Sequence, residues 1–214
     1  MNDRFPEYIV IEGPIGVGKT SLAKRLAETF NMNLLLEPAA ENPFLPAFYR
    51  NPSQAALPTQ LHFLFQRTKQ IETLRQTDLF NPARIADFLI EKDRLFARAT
   101  LSDAEYDLYM QVYNRVMIEP PAPDLVIYLQ ASPEILLRRI HKRGIEYERL
   151  IDENYLKKIT DAYVEFFYHY TASKLLIINT ENFDLVKGSS NYDILLEHIG
   201  KLPPGRHYFN PQEL

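Results

Sequence analysis

Cysteine is absent from the 214 residues, which excludes disulfides and thiolate metal sites and gives no support to an oxidising compartment. The five histidines, at positions 62, 141, 169, 198 and 207, include no pair at ligand spacing on one helical face, so a structural zinc is not expected. A basic excess is missing as well. A net charge of -4 and a pI near 5.8 argue against a nucleic-acid partner, because backbone binding draws its affinity from clustered Lys and Arg. Anionic ligands must therefore be held locally. No apolar run approaches the length of a bilayer span, and Met1 to Pro6 lacks the apolar stretch of a signal peptide. The expectation is a cytoplasmic location with no membrane partner. Repeats, low-complexity blocks and linkers are also lacking. With 46% hydrophobic residues the chain can bury one substantial core, and a single domain over residues 1–214 is expected.

What is present is an alternation of short apolar runs and amphipathic stretches. Tyr8 to Glu12 reads as a strand, and Ser21 to Phe30 as a helix with Leu22, Leu26 and Phe30 on one face. Asn33 to Glu37 is a second run, delivering Glu37 at its carboxyl end before a loop with Pro38, Pro43 and Pro46. Helical periodicity over Leu57 to Arg75 leads to a third run at Ile85 to Ile90. Ser102 to Met117 is amphipathic, with Ser102 and Glu105 spaced as a capping box. Asp124 to Gln130 is a near-continuous apolar strand, and Ser132-Pro133-Glu134 opens a helix through Arg143. A further helix is expected over Asp152 to His169, a fifth strand at Leu175 to Asn179, and a last helix at Tyr192 to Lys201. The Pro-rich pieces at 119–123 and 202–204 read as stiff connections, and the last few residues as loosely held. Five apolar strands separated by helices predict an α/β fold: a five-stranded parallel sheet with helices on both faces.

Gly13-Pro14-Ile15-Gly16-Val17-Gly18-Lys19-Thr20 fits G-x-x-x-x-G-K-[ST] between a strand and a helix, where that motif has mechanical meaning. Its glycines let backbone N–H groups converge on phosphate oxygens at a helix N-terminus. Lys19 supplies a point charge for the β and γ groups, and Thr20 can ligate magnesium. A chance match is expected in roughly one chain in a hundred of this length, and the flanking elements lower that further. Dinucleotide-type spacing does not fit, and it would leave Lys19-Thr20 unexplained. ATP with Mg2+ is the expected ligand.

In open α/β sheets the ligand crevice lies beyond the carboxyl ends of the strands, so Glu37 faces the transferring group. Asp87 lies inside the third apolar run, where an acid must be paired or bind a cation. Arg138, Arg139, Lys142 and Arg143 cluster at a helix end ahead of Glu146 and Glu148. Such charges commonly form a solvated face. Beside a phosphate loop they also suit phosphoryl transfer, which depends on stabilising spread negative charge.

With these pieces in place the sequence resembles the deoxyribonucleoside kinase family, especially its bacterial purine-preferring members. The likeness rests on the loop, Leu36-Glu37-Pro38, Asn42-Pro43-Phe44-Leu45 with Phe48-Tyr49, Gln60 with Arg67, Asp93-Arg94, Tyr128-Leu129-Gln130-Ala131 with Ser132-Pro133, and Arg139 to Glu148. It implies a phosphate-loop kinase fold with a small arginine-bearing lid at about 139–149. It also implies transfer of the ATP γ-phosphoryl to the 5′-hydroxyl of a deoxyribonucleoside in nucleotide salvage. By resemblance Glu37 is the general base, and Tyr49 with Glu148 holds the sugar 3′-hydroxyl. Gln60, Arg67 and Asp93 read the base, Lys19, Arg139 and Arg143 act on the ATP phosphates, and Thr20 and Asp87 are linked to Mg2+. A homodimer through helices near 57–75 and 102–118, and feedback by an end-product triphosphate, are further implications.

An Arg67–Asp93 pair can exchange hydrogen bonds with a base edge carrying donors and acceptors, which suits a purine or cytosine. Deoxyadenosine is favoured, with deoxyguanosine and deoxycytidine as alternatives. The chain departs from the family in one place. Many members read acid-Arg-Ser where this chain has Asp87-Phe88-Leu89, and the segment to Phe96 is one residue short. Lys92, Arg94 or a lid arginine must then supply the cation near the 5′-oxygen. A nucleoside monophosphate kinase, which needs a cation clamp for the acceptor phosphate, and a regulatory ATPase are the competing functions.

Overall fold

The computed structural model of the protein describes residues 5–77, 83–181 and 189–210. Strands β1 (Tyr8–Glu12), β2 (Asn33–Leu35), β3 (Arg84–Ala86), β4 (Leu125–Gln130), β5 (Lys174–Asn179) and β6 (Arg206–Phe209) form one sheet in the order β2-β3-β1-β4-β5-β6. Every pairing is parallel. The helices are α1 (Lys19–Phe30), α2 (Leu45–Arg50), α3 (Pro52–Thr77), α4 (Lys92–Thr100), α5 (Asp103–Val116), α6 (Pro133–Arg143), α7 (Glu153–His169) and α8 (Ser189–Lys201). Short 3-10 turns occupy Ala39–Glu41 and Glu146–Leu150.

Successive strand residues face opposite sides of a sheet, and both sides are covered. Ile9, Ile11, Leu125, Ile127, Leu129, Leu176 and Ile178 pack with Leu22 and Leu26 of α1, Leu136 and Ile140 of α6, and Leu195 and Ile199 of α8. Val10, Val126, Tyr128, Leu175 and Ile177 turn the other way, against Leu95 and Ala99 of α4 and Ile159, Tyr163 and Phe167 of α7. On this second face Tyr128 stacks on Phe167 with ring centroids 4.1 Å apart, a separation at which aromatic pairs add to simple burial.

The sheet has six strands rather than five. The additional strand, β6, follows the Pro-rich 202–204 connection and pairs with the edge of β5, Leu175 N–H donating to Gly205 O at 3.0 Å. Its residues are Arg, His, Tyr and Phe, of which only Phe209 is buried. An edge strand held by backbone bonds and one anchoring ring carries no apolar run to read. The expectation of a loose terminus falls on 211–214, outside the described residues.

Two helices lacked a sequence signal. The buried side of α4 consists of Lys92, Asp93, Leu95, Ala97 and Ala99, so charged residues occupy positions where apolar ones would mark a face. In α2, prolines flank a helix of 6 residues, too short for periodicity. The third apolar run was expected over Ile85 to Ile90, but the strand ends at Ala86. Phe88 and Ile90 instead pack against Ile71 of α3 as a buried loop.

No helix among the described residues is long and apolar enough to cross a membrane.

Candidate active site

The phosphate loop runs from the end of β1, the central position where the chain switches from building one side of the sheet to building the other, into α1. Its glycines are required by sterics. A Cβ on Gly13 (φ 148°) would lie 2.4 Å from Leu129 O, and one on Gly16 (φ 83°) would lie 2.9 Å from Ile140 Cγ1. The close approach of β4 and α6 therefore sets the loop's path. Lys19 Nζ donates to Gly13 O at 2.7 Å and to Pro14 O at 3.2 Å. Burial lowers the pKa of this ammonium, against an opposing pull from Glu12, Glu37 and Asp87.

Beneath the loop sits an acid that the sequence reading passed over. Glu12 is fully buried and accepts from Gly13 N–H at 2.8 Å, Leu89 N–H at 2.7 Å and Tyr163 Oη–H at 2.8 Å. Like Asp87, Glu12 is an acid in an apolar run and needs a partner.

Asp87 itself follows β3 directly. Thr20 Oγ1 donates to its Oδ2 at 2.5 Å, and its Oδ1 accepts from the backbone N–H of Glu37 at 2.7 Å. One carboxylate thus ties the start of α1 to the segment beyond β2, where Gln70 also donates to Leu36 O at 3.0 Å. Strand β2 ends at Leu35, earlier than expected, and these bonds take over the positioning of Glu37.

The Glu37 carboxylate is gripped from two sides. Arg67 pairs with Oε1, and Lys92 Nζ donates to Oε2 at 2.7 Å. Burial alone would raise its pKa, but the charges of Arg67 and Lys92 outweigh burial and bring it down to about 2. Arg67 also pairs with the fully buried Asp93, so the shortened segment still brings these two together. Gln60 is buried beside them and donates to Thr100 Oγ1 at 3.3 Å. Of the cations considered near Glu37, Lys92 is in place. Arg94 instead lines a separate groove between α4 and α7.

On the far side, Tyr49 of α2 lies parallel to Tyr147, centroids 6.2 Å apart, and edge-on to Tyr155. Burial raises the Tyr49 pKa well above its ordinary value, with Tyr155 and Glu148 adding to the rise, so its hydroxyl is neutral. Glu148, buried in the 3-10 turn, accepts from Arg143 Nε at 3.0 Å and Nη2 at 2.6 Å. Tyr49 and Glu148 come near each other without a hydrogen bond between them among the described contacts. Arg139 donates to Thr180 Oγ1 at 3.0 Å and Thr180 O at 2.5 Å. Gly144, in the left-handed conformation, ends α6 after Arg143 and turns the chain toward Glu148.

These groups converge on one cavity of about 320 Å³ lined by Gly16, Gly18, Lys19, Thr20, Glu37, Tyr49, Gln60, Arg67, Asp87, Lys92, Arg139, Arg143 and Glu148. Asp93 stands behind Arg67 rather than on the wall. Phe63, Phe96, Tyr147 and Tyr155 also line it and went unremarked in the sequence, where isolated aromatics on helices do not differ from core residues.

The family model "Deoxynucleoside kinase" matches residues 9–202. The chain belongs to the deoxynucleoside kinase family. Among relatives of this kinase, the deoxyguanosine kinase of Bacillus subtilis (strain 168) is 32% identical over 200 residues, covering 91% of this chain and 97% of the relative. The deoxyadenosine/deoxycytidine kinase of the same organism is 27% identical over 202 residues, covering 91% and 92%. The structure of deoxyadenosine kinase from M. mycoides with bound dATP superposes with a TM-score of 0.79 at 24% identity, covering 91% of this chain and all of that one, a likeness of fold. As a deoxynucleoside kinase the protein phosphorylates nucleosides.

Proposed function

We propose that the protein transfers the γ-phosphoryl of ATP to the 5′-hydroxyl of a purine deoxyribonucleoside, as one cytoplasmic salvage domain acting in a homodimer. The observation that carries this reading is the Glu37 carboxylate sharing a single cavity with the phosphate loop, with Tyr49 and Glu148 on one side and Arg67 with Gln60 on the other. Asp93 lies behind Arg67 and off the cavity wall, so of the expected base-reading pair Arg67, together with Gln60, is left to meet the base. Deoxyadenosine remains the favoured acceptor, and the relatives named deoxyguanosine kinases support testing deoxyguanosine beside it.

In this reading Glu37 accepts the 5′-hydroxyl proton as the oxygen attacks the γ-phosphorus and the bond to the β-γ bridging oxygen breaks, leaving ADP. Thr20 and Asp87, a hydroxyl and a carboxylate 2.5 Å apart, fit a hard cation that keeps phosphate and water oxygens as its other ligands. They would hold the Mg2+ that arrives with ATP, and that ion would supply charge neutralisation for the phosphates. Lys19 exchanges the loop carbonyls for phosphate oxygens. Arg139 and Arg143 leave Thr180 and Glu148 for the triphosphate, and Glu148 is then open to the 3′-hydroxyl beside the neutral Tyr49.

A monophosphate kinase needs a cation for the acceptor phosphate. Arg50, the arginine in the segment that follows β2, is exposed at the end of α2 and off the cavity wall. The homodimer is supported by Phe65 on α3 and Leu108 on α5, which leave 53% and 49% of their surface exposed.

The test is a panel of deoxyadenosine, deoxyguanosine, deoxycytidine, thymidine and deoxynucleoside monophosphates with ATP and magnesium, plus a control without acceptor. The expected product is a purine deoxynucleoside 5′-monophosphate, with Lys19→Ala reduced about 10²-fold or more. Turnover that needs no acceptor, or that prefers a monophosphate, overturns the reading.

A further inference from the structure

Lys92, the first residue of α4, is 3% exposed, with its Nζ 2.7 Å from Glu37 Oε2 and 3.9 Å from Glu12 Oε2. An ammonium removed from water this far needs fixed negative charge, and the fold supplies it from the end of β1 and from the segment beyond β2. The contacts continue in both directions. Glu12 holds Gly13 N–H of the phosphate loop, while Glu37 also meets Arg67, which meets Asp93. Four buried ionisable side chains, Glu12, Lys92, Arg67 and Asp93, and the half-buried Glu37 thus alternate in sign from the loop, across the cavity, to behind Arg67.

The two cations on Glu37 are not equivalent. A hydroxyl can approach that carboxylate only by sharing or displacing one of them. Arg67 has a second acid in direct contact, Asp93, so it can give up Oε1 and stay paired. Among the described residues, Lys92 has the 3.9 Å contact to Glu12 to fall back on. Displacing Lys92 would strand a buried charge, so Lys92 is the fixed partner and Arg67 the exchangeable one. Nor does the residue after Asp87 compete for the role. Phe88 is fully buried among Ile71 and Ile90, and its ring lies 6.0 Å from Lys92 Nζ.

We propose that Lys92 is the positioning residue of the transfer reaction: it fixes the Glu37 carboxylate by one oxygen and, through Glu12, holds it in register with the phosphate loop. The proposal rests on the reading of Glu37 as the general base. A small displacement of such a group can lower the rate about 10²-fold without altering what the site binds.

The experiment compares wild type, Lys92→Met and Lys92→Arg in the full chain, with circular dichroism and thermal melts to establish folding, followed by kcat and KM for ATP and for the preferred deoxynucleoside. The expected result for Lys92→Met is a kcat lower by about 10²-fold with both KM values within about fivefold. Lys92→Arg, which restores the charge, should recover at least about tenfold of the lost kcat. Ethylamine added to Lys92→Ala should raise its kcat in a saturable manner, a response that a purely structural lysine does not give. If Lys92→Met does not fold, Lys92→Gln, which keeps donors without the charge, is held to the same criterion. Folded Lys92→Met or Lys92→Gln with kcat within about threefold of wild type overturns the role of Lys92 and leaves the kinase reading intact. Wild-type protein that phosphorylates no deoxynucleoside overturns the kinase reading itself.

Discussion

Glu37 sits between two cations that keep it ionised, and its loss separates chemistry from binding. Glu37→Gln retains the shape and hydrogen-bonding reach of the side chain but cannot take a proton, so kcat should fall about 10²- to 10⁴-fold while ATP and nucleoside still bind. Single-turnover and equilibrium-binding measurements check the split. The carboxyl is held at about 2 against an ordinary 4.5. Its ion pairs therefore stabilise the fold fully above pH 4.5, and that contribution fades as pH falls towards 2. Glu37→Gln should lose less stability than wild type between about pH 5 and pH 3, as read from urea midpoints. At the other wall, Tyr49 and Glu148 are expected to meet the 3′-hydroxyl. A site built to bond a hydroxyl rejects the analogue lacking it by up to about 10⁴-fold. The 2′,3′-dideoxynucleoside should then be a far poorer substrate than the 2′-deoxynucleoside, with Tyr49→Phe and Glu148→Gln each narrowing the gap. Equal kcat/KM for both sugars would remove these residues from the site.

Among the elements, α5 has the local signal most fully expressed in the fold. Ser102 Oγ accepts from Glu105 N–H at 3.5 Å, and Glu105 Oε2 accepts from Ser102 N–H at 2.9 Å. The reciprocal cap was legible because both partners lie within four residues of each other. Ser102→Ala should cost about 1 kcal/mol of stability with kcat/KM unchanged, measured by thermal melts and initial rates. A fall in activity at constant folding would show that α5 bears on the site. The helix α4 is the opposite case. Lys92 and Asp93 open it with two buried charges, and their partners Glu12, Glu37 and Arg67 come from β1, from beyond β2 and from α3. Nothing near them in sequence announces a buried face.

For the whole molecule, the exposed Phe65 and Leu108 place apolar surface on adjacent helices α3 and α5, where a second copy of the chain would bury it. Phe65→Asp with Leu108→Asp should convert a dimer to a species of 25.0 kDa in light scattering. A wild-type mass already at that value would set the homodimer aside. Most of the strand and helix alternation, the phosphate loop, and Glu37 and Asp87 as acids of the second and third apolar runs were legible in the sequence, because period, glycine spacing and strand polarity are local properties of the chain. The sequence did not determine the sixth strand, since β6 is held by backbone bonds to β5 and its side chains carry no pattern. Nor did it decide which cation faces Glu37. Lys92, Arg94 and the lid arginines are equivalent as residue types, and only the packing of α4 against the sheet puts the Lys92 ammonium on that carboxylate and turns Arg94 to another groove. The loop after β3 and Tyr163 of α7 likewise made Glu12 a buried anchor of the phosphate loop. Electrostatic partners are chosen by distances of a few ångströms between segments far apart in the chain, so they belong to the tertiary structure.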